Sequence, residues 1–153
     1  MTNLIGISST ILNVSIKKLI GVLLFAEFPS TIVFAGRDGE PIIKEWVDCS
    51  DNGDTDRYFY YKTTKFLLKK FIHGRISHQD LILNSTDGLL YFQDIQNSKP
   101  INHIIISCKH LPQEYTPSSN FYLQENDGVD LHRITTYFEL ENISLTPPLS
   151  SII

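Results

Sequence analysis

The chain contains few of the residues from which the common catalytic and metal-binding motifs are built. Among its 153 residues are only two cysteines, Cys49 and Cys108, and they form no CxxC pair. The eight glycines form neither a phosphate-binding loop nor a dinucleotide fingerprint, and no GxSxG or HExxH motif occurs. We therefore expect reduced thiols, no bound metal or cofactor, and a chain that is not an enzyme.

A large excess of one charge and long apolar runs are also missing. The formal net charge is −4, which gives no global reason to expect binding to polyanions. Residues 17–26 imitate the charged and apolar parts of a signal peptide, but Glu27 and Pro29 follow without a small-residue cleavage pattern. The run is far shorter than the roughly 20 residues that a membrane helix requires. We therefore expect a soluble cytoplasmic protein without membrane association.

Residues 22–88 carry the clearest secondary-structure pattern. Antiparallel strands are predicted at 22–28, 31–35 and 42–47, where apolar runs are separated by short turns. Asp38-Gly39 suits the turn before the third strand, because Asp-Gly tolerates a positive φ. An acidic loop at 48–56, an aromatic strand at 57–62 and a further strand at 89–95 follow.

Two short helices are predicted between the aromatic strand and the strand at 89–95. Thr64 can cap the first helix, and Gly74 suits the left-handed position just after its end. Ser77 and Asp80 form a capping-box pair that begins the second helix. We expect this helical hairpin, residues 64–84, to pack on one face of the sheet.

The outer parts of the chain give weaker patterns. Alternation of apolar and polar residues predicts strands at 11–17 and 131–140, and an apolar run predicts a buried strand at 101–108. Residues 146–153 are predicted to be a loose tail. The sequence thus predicts one α+β domain over residues 1–145, with a mainly antiparallel sheet and one helical hairpin. The side chains predicted to be buried in its core are Trp46, Phe59, Leu67, Phe71, Leu83 and Phe92.

The order of several short motifs is similar to that of a known family. A LLF strand, a strand ending in WVD, an acidic loop, an aromatic strand, a helix, a GRIS step and a DGLLYF strand follow one another within residues 19–92. This half of the chain resembles a family of small bacterial or phage domains to which no activity is assigned. The resemblance implies a bacterial or phage origin and transfers no site residues.

The acidic loop partly matches a calcium-binding loop. Positions 1, 3, 5, 6, 7 and 9 of that pattern correspond to Asp48, Ser50, Asn52, Gly53, Asp54 and Asp56. Position 12, where a bidentate glutamate completes the coordination, is Phe59, and predicted strands rather than helices flank the loop. We therefore expect a solvated strand connection that binds no calcium.

Positive charge is concentrated on and beside the first predicted helix. Five basic residues fall within fourteen positions that contain no acid: Lys62, Lys65, Lys69, Lys70 and Arg75. Such a stripe can contact phosphates or an acidic protein surface, although a solvated helix face is also commonly charged. It is the candidate partner-binding site. Asp130 with His132 could form half of a catalytic triad, but the sequence offers no nucleophile to complete it.

These observations predict a non-catalytic protein-interaction module, an accessory or immunity-type protein that binds another copy of itself or a larger bacterial protein. Two alternatives stay open. One is a nucleic-acid-associated accessory protein that binds weakly through the basic helix, and the other is a small enzyme whose site is assembled from distant residues. A concave pocket with convergent polar groups would favour the enzyme, and an exposed apolar patch with a polar rim would favour the module.

Overall fold

A six-stranded antiparallel sheet dominates the fold. The computed structural model describes residues 16–26, 28–124 and 127–145. The strands are β1 Ile16–Ala26, β2 Phe28–Gly36, β3 Pro41–Cys49, β4 Thr55–Lys62, β5 Leu89–Gln96 and β6 Lys99–Ser107. They lie in the sheet in chain order, and each pairs antiparallel with the next. The predicted α+β class with a mainly antiparallel sheet is confirmed.

The strands predicted within residues 22–62 and at 89–95 are present and are longer than the sequence indicated, except that Phe28, predicted to end the first strand, begins β2. Gly39 adopts a φ of 88°, as the Asp-Gly turn between β2 and β3 requires. The acidic loop is shorter than predicted, because β3 continues to Cys49 and β4 begins at Thr55. Of the strand predicted at 11–17, the structure places 16–17 in β1, and residues 11–15 lie outside the described part of the chain.

The predicted helical hairpin connects β4 to β5. Its helices are α1, Lys65–Ile72, and α2, His78–Leu83. Thr64 Oγ1 accepts a hydrogen bond from the Leu67 amide at 3.1 Å, and the Ser77–Asp80 capping box is formed. Gly74 has a φ of 70°, in the left-handed region. These local signals were therefore sufficient to place both helices.

The core lies between this hairpin and one face of the sheet, called here the helix face. Because side chains alternate along each strand, the registers of the central strands place Ile43, Phe59 and Phe92 on the same face. All three belong to the buried cluster that also contains Leu68 and Phe71 of α1. Phe59, Phe71 and Phe92 are thus buried as predicted.

The other three predicted core residues are less buried than expected. Trp46 and Leu67 are half-buried. Leu83 is 39% exposed, so the prediction for this residue was wrong. It is the last residue of α2, and Leu81 and Ile82 fill the buried side of that helix instead.

The strand predicted at 131–140 is wrong, because this segment is helical. It consists of α3, Leu131–Tyr137, and a 3-10 turn, Leu140–Asn142. Ile134 and Phe138 are buried and lie four residues apart, which fits a helix, whereas the prediction relied on alternation. Asp130 attaches the start of α3 to β1, since its Oδ2 accepts a hydrogen bond from the Val22 amide at 2.8 Å.

The strand predicted at 101–108 exists, but its predicted burial is wrong. β6 occupies one edge of the sheet, so it is covered less than the central strands. Ile104 is 59% exposed and Ile105 is 37% exposed. Cys108 is buried as predicted, although it belongs to a 3-10 turn that follows β6.

The two ends of the chain lie largely outside the described residues. The predicted tail at 146–153 lies outside the described residues. In the described ranges, no helix is both long enough and apolar enough to cross a membrane.

Candidate functional site

An open cleft of about 520 Å³ lies on the helix face, between the β5–β6 edge and the segment that follows β6. Phe92, Ile104 and Ile106 provide apolar surface from the sheet, and Pro112 and Tyr115 provide it from the opposite wall. The rings of Phe92 and Tyr115 have centroids 6.1 Å apart. A cleft of this size and composition is large enough to accept a small molecule or a side chain of a partner.

Polar groups converge at one end of this cleft. Arg57 binds Asp94 with two hydrogen bonds, Nε to Oδ1 at 2.7 Å and Nη2 to Oδ2 at 3.0 Å. Arg57 Nη1 also donates to the Tyr115 hydroxyl at 3.0 Å, and this hydroxyl donates to Asp48 Oδ2 at 2.8 Å. The four side chains therefore fix the 3-10 turn that carries Tyr115, Gln113–Tyr115, against the strands.

The charges of this network stabilise one another. The hydrogen bonds from Arg57 lower the pKa of Asp94, and the same contacts raise the pKa of Arg57. Partial burial, followed by the hydrogen bond to Asp48, raises the pKa of Tyr115. At neutral pH the end of the cleft thus holds an ion pair and a protonated phenol.

Sequence analysis did not identify this cleft, because its residues come from β4, β5, β6 and the segment at 112–115, and no sequence motif joins them. One local signal was available. Arg57 lies two positions before the buried Phe59, and Asp94 lies two positions after the buried Phe92, so both charged residues fall on the apolar face of their strands. Charged residues on a buried face usually have partners, and the register places Arg57 opposite Asp94.

The apolar surface of the cleft continues onto the exposed part of β6. Ile104 lies on the cleft side of the strand, and Ile105 points to the opposite face. Among the described strands, β6 pairs with β5 alone. Exposed Lys99 and Lys109 stand at the two ends of this apolar segment. Exposed apolar groups with a charged border are typical of interaction surfaces.

A buried acid–base pair lies elsewhere on the helix face. Glu45 on β3 is 4% exposed, and its Oε2 lies 2.6 Å from Nε2 of His78 on α2. The Tyr61 hydroxyl donates to the same carboxylate oxygen at 2.8 Å, and the Thr31 hydroxyl donates to Oε1 at 2.5 Å. Burial, and then the adjacent Glu45, raise the pKa of Tyr61 well above its ordinary value, so this phenol stays a donor.

The hydrogen bonds of the Glu45 carboxylate are made to other buried side chains. Three protein groups, from Thr31, Tyr61 and His78, are hydrogen-bonded to it, and such bonds make a buried charge tolerable. The His78 ring lies between the rings of Phe71 and Phe121, at centroid distances of 5.4 and 5.9 Å. A second cavity, of about 220 Å³, reaches both Glu45 and His78. The pair thus connects α2 to the sheet and also borders a small opening.

The face of the sheet away from the core is rich in aromatic residues that cover one another. The Lys44 ammonium lies 4.1 Å from the ring centroid of Tyr58, and burial lowers the pKa of Lys44. The rings of Tyr60 and Phe34 have centroids 6.2 Å apart, and burial raises the pKa of Tyr60 to about 12. These contacts explain why the aromatic strands tolerate a face without a described helix.

The five predicted partner-binding residues do not form one uniform surface. Lys69 Nζ donates to the Ile143 carbonyl at 2.5 Å, and Lys62 Nζ lies 4.0 Å from Asp87 Oδ2. Lys70 Nζ lies 5.1 Å from the ring centroid of Phe66. Lys65 is half-buried and Arg75 is exposed. That this stripe binds a partner stays a prediction.

The remaining candidate groups are the acidic loop and the pair Asp130 and His132. In the acidic loop, the Ser50 hydroxyl makes hydrogen bonds with Asn52 and Asp54 oxygens at 2.8 and 2.9 Å, and the bond from Ser50 lowers the pKa of Asp54. Asp130 accepts from the β1 backbone, and His132 is exposed. Across residues 16–26, 28–124 and 127–145, no cluster of three or more His, Cys, Asp or Glu residues is arranged to hold a metal ion.

Both cysteines are free in the structure. Cys49 is exposed at the end of β3, and Cys108 is buried.

Comparison with known protein families, with curated proteins and with solved structures finds no match to this chain. The resemblance to small bacterial or phage domains therefore stays a prediction.

Proposed function

We propose that this chain is a non-catalytic protein-interaction module that binds a protein partner at the cleft and the adjoining part of β6. The observation that carries the proposal is the continuity of the apolar cleft surface with Ile104, which is 59% exposed on the edge strand β6. An accessory or immunity-type role in the cytoplasm, beside a larger bacterial protein, is part of the same proposal.

The polar end of the cleft supports binding more than catalysis. The guanidinium of Arg57 and the carboxylate of Asp94 are engaged with each other, and the Tyr115 hydroxyl is engaged with Asp48. Groups held in this way can orient a ligand through their remaining hydrogen-bonding capacity. They are poorly placed to accept or release a proton, because the ion pair stabilises both charged forms.

A small enzyme is the second candidate, and the Glu45–His78 pair is the observation that favours it. The two side chains lie within hydrogen-bonding distance and border a cavity, as a general acid–base pair would. Against this, Tyr61 and Thr31 also bind the Glu45 carboxylate, so the geometry is explained by packing of α2 on the sheet.

Nucleic-acid binding through the basic helix is less well supported. The side chains of Lys62 and Lys69 are directed to an acid and to a backbone carbonyl of this chain. Neutralising about three phosphates would give weak binding that falls steeply with salt.

Site-specific crosslinking can test the interaction module. A photoreactive benzoylphenylalanine would replace Ile104 on β6 or Leu19 on β1 in cells of the source organism. Both positions are 59% exposed on the two edge strands, so they form a matched pair. We expect one protein to be crosslinked from position 104 and not from position 19, at low and at moderate salt, because apolar burial is not screened by salt. Equal labelling from both positions would contradict the proposal.

A further inference from the structure

No strand of the described residues pairs with the outer edge of β6. In an edge strand, alternate N–H and C=O groups point away from the neighbouring strand. β1, at the other edge, already accepts hydrogen bonds on Leu23 O and Val22 O from the amides of Val129 and Asp130. Within the described chain, β6 pairs only with β5. The two edges of the sheet therefore differ in how they are covered.

Only the beginning of β6 carries residues that discourage pairing with an added strand. Lys99 and Pro100 occupy the first two positions, and both residue types discourage the pairing of an added strand. Residues 102–107, NHIIIS, contain no acid, lysine, arginine or proline and include three consecutive isoleucines. Such a segment has a high tendency to pair with another strand.

The unprotected part of β6 lies beside the cleft. Ile104 and Ile106 line the cleft, and they alternate along the strand with Ile105 on the opposite face. A strand added to this edge would place every second side chain on the cleft side, at intervals of about 6.6 Å. Backbone pairing would then supply affinity, and the cleft would select the inserted side chains.

Charge indicates the chemistry of the added strand. Exposed Lys99 and Lys109 flank the uncharged segment. In a second copy paired antiparallel about Ile105, the 3-10 turn that carries Lys109 in one chain would lie beside the beginning of β6 in the other, where Lys99 is located. Like charges would then meet at both ends of the pair, which opposes self-association. An added segment with an acidic residue near each end would instead be attracted.

We infer that β6 accepts an extended segment of a partner protein, with apolar side chains at alternating positions and an acidic residue towards each end. The segment extends the sheet by one strand, and its apolar side chains enter the cleft beside Ile104 and Ile106. The inference rests on the proposed function, because it specifies how the interaction module binds its partner.

Selection from a displayed library of random nine-residue peptides tests this binding mode with the intact chain. We expect enriched peptides to alternate apolar with other residues and to end in acids. The best peptide is then synthesised with N-methyl groups on alternate residues, in each of the two phases. Methylation on the edge that faces β6 should weaken binding at least about tenfold, because it removes several hydrogen bonds. The other phase should leave the affinity nearly unchanged.

Matched variants of the protein locate the site. Ile104→Ser and the double variant Lys99→Glu/Lys109→Glu should each weaken peptide binding about tenfold or more. The control variants carry the same kinds of substitution on β1, at the other edge: Leu19→Ser and Lys17→Glu/Lys18→Glu. Both should bind the peptide with unchanged affinity. Circular dichroism of all four variants checks that the fold is kept.

Several results would overturn the inference. These are equal effects of the two methylation phases, no enriched peptide, or a dimer in analytical ultracentrifugation that Ile104→Ser dissolves. If crosslinking from position 104 still captures a partner, the interaction module stands and only the added-strand mode fails. If position 104 captures nothing, the proposed function itself fails.

Discussion

Removal of one hydroxyl group from the buried Glu45 network should measurably destabilise the protein. Tyr61 is completely buried, and its hydroxyl donates to Glu45 Oε2 at 2.8 Å. Tyr61→Phe deletes this donor and leaves the carboxylate with His78 and Thr31. A hydrogen bond to a charged group contributes about 1.5–3 kcal/mol, so we expect the free energy of unfolding to fall by about that amount.

Urea denaturation followed by circular dichroism measures this loss. Tyr60→Phe is the matched control, because Tyr60 is the next residue, lies on the opposite face and is half-buried. The control should change the free energy of unfolding by less than about 0.5 kcal/mol. In a Glu45→Gln background the cost of Tyr61→Phe should drop to about 0.5–1.5 kcal/mol, since the acceptor is then neutral. A Tyr61→Phe variant as stable as its control, or an equal cost in both backgrounds, would refute the reasoning.

Three further predictions concern the core, the cleft and the acidic loop. Phe71→Ala should lower the free energy of unfolding by about 3–5 kcal/mol, because Phe71 is fully buried. Phe66→Ala, at a position 41% exposed on the same helix, should lower it clearly less. Equal losses in urea denaturation would contradict the packing described. The Arg57 contact lowers the pKa of Asp94 in the folded state. The ionised Asp94 should therefore stabilise the fold fully above the unfolded pKa of about 3.9, and this contribution should be lost as the pH falls through the lower folded pKa. The melting-temperature difference between wild type and Asp94→Asn should therefore narrow between pH 6 and pH 2, and a constant difference would exclude this role. Isothermal titration should detect no calcium binding to the acidic loop at physiological concentration, and sub-millimolar binding lost in Asp48→Asn would refute this.

Local signals in the sequence were enough to place the centre of the fold. Thr64, Gly74 and the Ser77–Asp80 box act within a few residues, so the helical hairpin could be predicted without knowledge of its tertiary contacts. The Asp-Gly turn before β3 is local in the same way. Such signals determine where an element begins and ends, whatever it packs against.

Tertiary context decided the elements that were predicted wrongly. The segment at 131–140 satisfies both an alternating and a helical spacing, and docking of Asp130 on β1 accompanies the helical form. The isoleucines of β6 resemble a buried strand in sequence, yet the strand lies at the sheet edge. The order of strands in a sheet is a long-range property that the composition of one strand does not reveal.

The candidate site was invisible to sequence analysis for a related reason. The polar network of the cleft spans 67 residues, from Asp48 through Arg57 and Asp94 to Tyr115, and no spacing motif connects its members. The basic stripe was conspicuous because its members are close in sequence, but Lys69 contacts a backbone carbonyl instead of standing free. Proximity in the chain was a poor guide to proximity in the site.

Amide hydrogen exchange of the chain with and without the partner captured from position 104 tests the central claim most directly. Extended pairing protects the outward amides of the edge strand that receives it. We expect exchange to slow in residues 102–107 of β6 and to stay unchanged in β1, Ile16–Ala26. Protection confined to β1, or to the basic residues at 62–75 on and beside α1, would contradict a binding site at the cleft and the β6 edge.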